Sequence, residues 1–164
     1  MKKLLLIALL GLFGFKGIAQ DQQQSSDTLK RHEIHINALY ILMGIPDFTY
    51  ERILNSESGI GISVAFNLDN DVDLNFLIIP HYRIYFGKKY ASGFFLEANT
   101  AIMSEPDYQR NKVTFGLGFA AGGKFLTKSG WVGELFLGLG RNLIKPDRAM
   151  NVYPRFGITI GKRF

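Results

Sequence analysis

Apolar and polar side chains alternate along most of the chain after residue 31. Between residues 113 and 119, for example, Val113, Phe115, Leu117 and Phe119 occupy every second position, with Thr or Gly between them. Successive side chains of a strand point to opposite faces, so this pattern indicates strands with one apolar face. No helical period competes with it, and we expect an all-β protein. Runs of this kind predict eight strands, near residues 32–43, 47–54, 58–67, 76–86, 92–102, 111–125, 131–142 and 151–164.

The strand and link lengths favour a barrel that crosses a membrane. Most strands approach the ~9–11 residues that a tilted transmembrane strand needs, and single-chain bacterial barrels have an even number of strands. The links after the second, fourth and sixth strands are short, whereas those near residues 68–75, 103–110 and 143–150 are longer. The first link, 44–46, would lie at the same end of the barrel as the longer links but is itself very short. The pattern predicts an eight-stranded antiparallel up-and-down transmembrane β-barrel.

The N-terminal segment has the features of a secretory signal peptide. Lys2 and Lys3 precede an apolar run over residues 4–12, and Gly17-Ile-Ala19 provides small residues for cleavage. The apolar run is too short to span a bilayer, which argues against an anchor. Residues 20–31 are polar and have no period, as in a disordered periplasmic lead. We therefore divide the chain into a signal peptide at 1–19, this lead at 20–31 and a barrel at 32–164.

Composition excludes several functions. Removing residues 1–19 takes three of the 19 basic residues away and leaves 16 against 14 acidic ones, a net charge of +2. This balance gives a nucleic-acid interface little support. There is no cysteine, which rules out disulfides, thiol nucleophiles and cysteine-ligated metals. No phosphate-binding loop or cofactor fingerprint is present, and we expect no cofactor.

The alternation also sorts side chains between the two faces of the barrel. Ile34, Ile36, Tyr40 and Leu42 of the first strand fall on the predicted lipid face. A set of charged side chains falls on the lumen face: Glu51, Arg83, Glu97, Glu134 and Arg155. An eight-stranded barrel is just wide enough for side chains to fill, so unpaired charges inside would be costly. We expect a structural network of ion pairs that plugs the lumen; a proton or ion path, or a carboxylate catalytic site, is the functional alternative.

Histidines and aspartates offer weaker candidates for chemistry. His81 lies on the lumen face of the fourth strand, and the nearest strand serine on that face is Ser63. A lone histidine of this kind is more often a satisfied polar group. His32 and His35 are three residues apart, which on a strand places them on opposite faces and spoils a metal pair. The run Asp69-Asn-Asp71-Val-Asp73 lacks the glycine-containing remainder of a calcium loop, so solvated charges are expected and no metal site is predicted.

Several stretches carry a resemblance to known barrels. They are Phe48-Thr-Tyr-Glu-Arg52, Pro80-His-Tyr-Arg-Ile-Tyr-Phe86, Gly116-Leu-Gly-Phe-Ala-Ala-Gly-Gly-Lys124 and the C-terminal Ile160-Gly-Lys-Arg-Phe164. The chain resembles small OmpA/OmpX-type outer-membrane barrels and, more narrowly, an uncharacterised family of Gram-negative eight-stranded barrels. The resemblance implies an outer-membrane location with both termini in the periplasm, and Phe164 resembles the signal that the barrel assembly machinery reads. The implied partners are that machinery, outer-membrane lipid and lipopolysaccharide, and the protein is expected to be a monomer.

Two classes of function remain open. The favoured hypothesis is a structural or interaction protein that is not an enzyme. The alternative is a lipid-modifying enzyme similar to lipid A deacylases, which use a Ser-His pair near the rim; a lumen serine within hydrogen-bond reach of His81 would favour it. A soluble lipocalin-like barrel is a third possibility, but its continuous apolar belt would then meet water.

Overall fold

The computed structural model describes residues 30–68, 75–105, 112–144 and 151–164. Their strands form one closed antiparallel barrel in which each strand pairs with its neighbours in sequence and the last pairs with the first. The predicted fold class, all-β with eight antiparallel strands, is confirmed. The strands are β1 (His32–Asn37), β2 (Asp47–Asn55), β3 (Ser58–Phe66), β4 (Phe76–Tyr85), β5 (Gly93–Glu105), β6 (Lys112–Leu126), β7 (Trp131–Ile144) and β8 (Val152–Arg163). The predicted signal peptide and residues 69–74 lie outside the described residues.

The first predicted strand is wrong in its second half. β1 ends at Asn37, and a short helix, α1 (Ala38–Leu42), follows it. The helix closes with a turn in which Gly44 has φ of 77°, its N–H donates to the Ile41 carbonyl, and the Ile45 N–H donates to the Tyr40 carbonyl. This pattern of bonds around a left-handed glycine is the Schellman motif. Tyr40 and Ile45 are both buried in one apolar cluster, so Tyr40 does not lie on the outer face as the alternation had predicted.

The seam at which β8 pairs with β1 and closes the barrel is shorter than the two longest strand pairings, because β1 is short. It runs from Glu33 opposite Arg163 to Asn37 opposite Thr159. Beyond Asn37, α1 lies beside β8, with the Tyr40 ring 5.3 Å from the Phe156 ring in an edge-on arrangement. The Asn37 side-chain amide bridges the change of direction by donating to the Phe156 carbonyl and to Asp47.

The C-terminal residue completes the other end of this seam. The Phe164 N–H donates to the His32 carbonyl at 2.8 Å, and the His32 N–H donates to the Phe164 carbonyl at 3.1 Å. The Phe164 ring also stacks on the His32 imidazole, with 6.0 Å between centroids. Phe164 therefore extends the β1–β8 pairing by one residue past the end of β8.

The barrel has two rims of different construction. The terminal rim carries both chain ends of the barrel and the links β2–β3 (residues 56–57), β4–β5 (86–92) and β6–β7 (127–130). The loop rim carries α1 and the ends of β3, β5 and β7. Strand β5 continues to Glu105, three residues beyond its predicted end. None of the helices in the described part of the chain has the length and apolar character needed to cross a membrane.

Polarity is inverted between the two faces of the wall. Many large apolar side chains point outward and are exposed, with Leu137 at 72% and Phe119 at 64%. The inward face buries charged groups, and Arg83, Arg155 and Lys124 are each 1% exposed. Inward glycines make room for large neighbours: a Cβ on Gly140 would come within 2.1 Å of the Tyr153 ring.

Candidate functional site

The five charged residues predicted to lie in the lumen come together around Arg83. Its guanidinium donates to Glu51 at 2.8 Å, to Glu97 at 2.8 Å and to Glu134 at 3.0 Å. These three glutamates project from β2, β5 and β7, so one arginine on β4 ties together strands from around the barrel wall. Their side chains are at most 1% exposed, which leaves the carboxylates dependent on protein partners rather than water.

Arg155 continues the network toward the loop rim. Its Nε donates to Glu97 at 3.0 Å, and its Nη2 donates to the Ser63 hydroxyl at 3.1 Å. Ser63 also shares a hydrogen bond of 2.7 Å with Thr49. Arg155 thus links a carboxylate held by Arg83 to the hydroxyl pair on β2 and β3.

Four further residues belong to this network and were not predicted as part of it. Lys124 lies at its centre: the ammonium Nζ is 2.7 Å from Glu33, 3.1 Å from Glu51 and 3.2 Å from Glu134. Arg163 donates to the other oxygen of Glu33 at 2.6 Å. The Tyr85 hydroxyl donates to Glu51 and accepts from Lys124. Their positions in the alternation of β1, β4, β6 and β8 put all four side chains on the inward face, so the same signal could have found them.

The network balances its charges. It contains four carboxylates, on Glu33, Glu51, Glu97 and Glu134, and four cations, on Arg83, Lys124, Arg155 and Arg163. Each carboxylate contacts at least two charged or polar partners. Charges removed from water are tolerated only when they are paired and hydrogen-bonded in this way. The eight charged side chains therefore carry no net charge together. With Tyr85, they are called the ionic layer.

Two apolar clusters lie beside the ionic layer. One contains Ile53, Tyr85, Ala91, Phe95 and Phe136, with Arg83 stacked 4.6 Å from the Phe95 centroid. The other lies toward the loop rim and contains Tyr40, Ile45, Ala65, Leu77, Ile79, Ala101, Met103 and Tyr153. Beside β1 and β8 the ionic layer itself reaches the terminal rim, where Arg163 donates to the Tyr90 and Ala91 carbonyls.

One group in the ionic layer has the composition of a metal site. Atoms of Glu33, His35, Glu51 and Glu134 that could act as ligands all lie within 4.8 Å of one another. Lys124 contacts all three of these carboxylates, however, and the His35 Nε2–H donates to Glu33 at 3.0 Å. The ammonium supplies the positive charge that a bound cation would bring, so the donor set does not fit a metal without displacing Lys124.

His81 is placed differently from a catalytic base. It is 3% exposed, its Nδ1 is 3.2 Å from the Ile79 carbonyl, and its Nε2 has no hydrogen-bond partner. Ser63, the candidate nucleophile, bonds instead to Thr49 and Arg155. Within the ranges that the structure describes, no serine hydroxyl bonds to His81. His32 is half-buried at the terminal rim, whereas His35 is buried in the lumen, so the two do not share a site.

Several buried polar atoms without partners lie on the loop-rim side of the ionic layer. They include Asn37 Oδ1, Asp47 Oδ1, His81 Nε2 and Arg155 Nη1. Asp47 and Arg155 line a narrow gap beneath Tyr40. In contrast, Arg83, Lys124 and the four glutamates all have partners at hydrogen-bond distance.

Comparison of the chain with protein-family models, curated proteins and solved structures finds no match.

Proposed function

We propose that this protein is a small integral outer-membrane β-barrel with a structural or interaction role and a closed lumen. The observation that carries the proposal is the inverted polarity of the wall: charged side chains are buried inside while large apolar side chains are exposed outside. Water-soluble proteins rarely expose continuous apolar surface on this scale, whereas a barrel in lipid needs an apolar outer band. Closure also pairs the backbone groups of every strand, which a lipid environment requires.

The proposed closed lumen is supported by the side chains that fill it. An ion moving along the axis would have to break the paired ionic layer and displace the apolar cluster near the loop rim. Each step exposes charged or apolar groups to an unfavourable environment. Eight-stranded barrels have little interior space left once long side chains fill it.

The proposed location rests on two sequence patterns. The signal-peptide pattern at residues 1–19 supports export, and the C-terminal Phe164 and the OmpA/OmpX-type pattern support insertion in the outer membrane of a Gram-negative bacterium. In this proposal the terminal rim faces the periplasm, Phe164 is the assembly signal, and the partners are the assembly machinery, outer-membrane lipid and lipopolysaccharide. We further propose a monomer.

We do not favour the lipid-modifying enzyme, because the arrangement around His81 lacks the feature that would support it. A Ser-His pair needs the serine hydroxyl within hydrogen-bond reach of the base. His81 has the Ile79 carbonyl as its partner, and Ser63 is engaged by Thr49 and Arg155.

Planar-bilayer recordings test the closed lumen. We expect the mature protein, reconstituted at single-molecule density, to give no stable conductance, because the filled interior leaves no continuous aqueous path. The double variant Arg83→Ala, Glu97→Ala removes paired side chains from the ionic layer and serves to show that an opened lumen would be detected. A steady porin-like current through the wild-type protein would contradict the closed lumen.

A further inference from the structure

We propose that the terminal rim holds an anionic phospholipid. Lys88 and Lys89 of the β4–β5 link contact its phosphate, and an acyl chain lies against the wall at Gly123. This inference rests on the proposed membrane location and adds a lipid class and a binding site to it. It follows from the charge of the rim, its aromatic belt, the anchoring of the β4–β5 link and an open depression beside that link.

The exposed charges of the terminal rim are strongly one-sided. The exposed cationic side chains there are Lys30, Arg31, Arg52, Lys88, Lys89, Lys128 and Lys162. Among the described residues of this rim, Glu57 is the one exposed acidic side chain. A basic rim attracts anionic headgroups.

An aromatic belt lies at the same height as these cations. Exposed rings at the terminal ends of the strands belong to Phe86, Phe94, Phe125, Trp131 and Phe164. The Lys162 ammonium lies 5.0 Å from the Trp131 ring centroid and donates to the Ser129 carbonyl. Aromatic belts mark the boundary between hydrocarbon and headgroups. The lysines of the adjoining links therefore lie at headgroup level.

The link that carries Lys88 and Lys89 is held in place from inside the barrel. Arg163 reaches out of the ionic layer and donates to the carbonyls of Tyr90 and Ala91, at 2.9 Å and 2.8 Å. The Ala91 N–H in turn donates to the Ser56 carbonyl of the neighbouring link at 2.7 Å. A binding segment that is already ordered loses less entropy when its ligand arrives, so this anchoring favours a defined site over diffuse attraction.

Beside the link there is space for a ligand. An open depression of about 250 Å³ is lined by Lys88 and Lys89, by Gly87 and Gly93, and by Phe125. On the outer wall next to it, Gly123 lies between Phe94 and Leu135 in the strand register. A Cβ at Gly123 would meet only the Phe125 ring, at 3.7 Å, so the outer wall is open at this point. Two ammonium groups next to an apolar recess match a phosphate joined to an acyl chain.

Mixed-lipid nanodiscs test the inference with the full-length mature protein. The discs contain equal amounts of phosphatidylglycerol and phosphatidylcholine, and native mass spectrometry counts the lipids that remain on the protein. We expect phosphatidylglycerol to be enriched, and the enrichment to fall about fivefold for each of Lys88→Gln and Lys89→Gln. Gly123→Leu, which fills the recess without touching a charge, should reduce total lipid retention. Enrichment should weaken in high salt because screening weakens exposed charges.

Arg141→Gln is the matched control, because Arg141 is an exposed cation near the loop rim. Equal loss of enrichment in Arg141→Gln and Lys88→Gln would overturn the site in favour of general charge. Full displacement of phosphatidylglycerol by inorganic phosphate would overturn the lipid assignment. Insertion into nanodiscs without lipid preference would overturn this inference alone, whereas failure to enter nanodiscs from detergent would overturn the proposed function.

Discussion

Replacing Arg83 by methionine is expected to lower the free energy of unfolding by about 3–5 kcal/mol, because it leaves buried carboxylates without their shared partner. Glu51, Glu97 and Glu134 all accept hydrogen bonds from this one guanidinium. Methionine keeps most of the side-chain volume, so the effect isolates the lost charge from a packing defect. Trp131 is the sole tryptophan of the chain, and its fluorescence can follow urea unfolding in lipid vesicles.

Arg141→Met provides the control for charge removal outside the lumen. Arg141 is exposed on the wall, and we expect its replacement to change stability by less than about 0.5 kcal/mol. Should Arg83→Met itself fail to fold, Thr159→Val removes a weaker contact of 3.3 Å to Glu134 and should give a smaller, measurable loss. Equal stability of Arg83→Met and wild type would show that the ionic layer does not stabilise the barrel.

Leu137→Arg should cost about 2–4 kcal/mol, since Leu137 lies on the outer face near the middle of β7, where lipid is expected at its most apolar. The side chain is 72% exposed, so no packed interior is disturbed by the change. In a barrel surrounded by water the same substitution would be nearly neutral. The free energy of unfolding in lipid vesicles distinguishes these two outcomes.

Leu143→Arg is the matched control on the same face and strand, close to the loop rim. Arginine near the membrane interface costs about 0–1 kcal/mol because its side chain can reach the headgroups. The expected result is a large cost at 137 and a small one at 143. A small cost at both positions would argue against lipid around the barrel.

The sequence predicted the barrel well where local physics sets the structure. In β6 and β7 the period of two determines which side chains are buried, and the prediction matches the burial of Glu134 and the exposure of Phe119. Charged side chains that share the inward face must also lie close together, because the interior is narrow. What the alternation could not provide is the pairing, because contacts such as Lys124 with Glu33 depend on how strands far apart in sequence face each other across the lumen.

The helix α1 shows where the pattern misled. Residues 38–43 are all apolar or aromatic, so they fit a strand with Tyr40 and Leu42 outward as easily as a helical turn. The decisive signal was Gly44 followed by Ile45, a left-handed glycine and an apolar residue that pack back on Tyr40. Because the helix replaces the second half of the predicted strand, the pairing between β1 and β8 is short.

Quenching of tryptophan fluorescence by brominated lipids tests the central claim, that lipid surrounds the outer face, most directly. In the wild-type protein, Trp131 probes the surroundings of the terminal rim. In a variant carrying Trp131→Phe and Leu137→Trp, the new tryptophan probes the surroundings of the middle of the outer wall. We expect strongest quenching of Trp131 by bromines near the headgroup and of the tryptophan at 137 by bromines deep in the acyl chains. Both probes unquenched, with emission typical of indole in water, would contradict a membrane barrel.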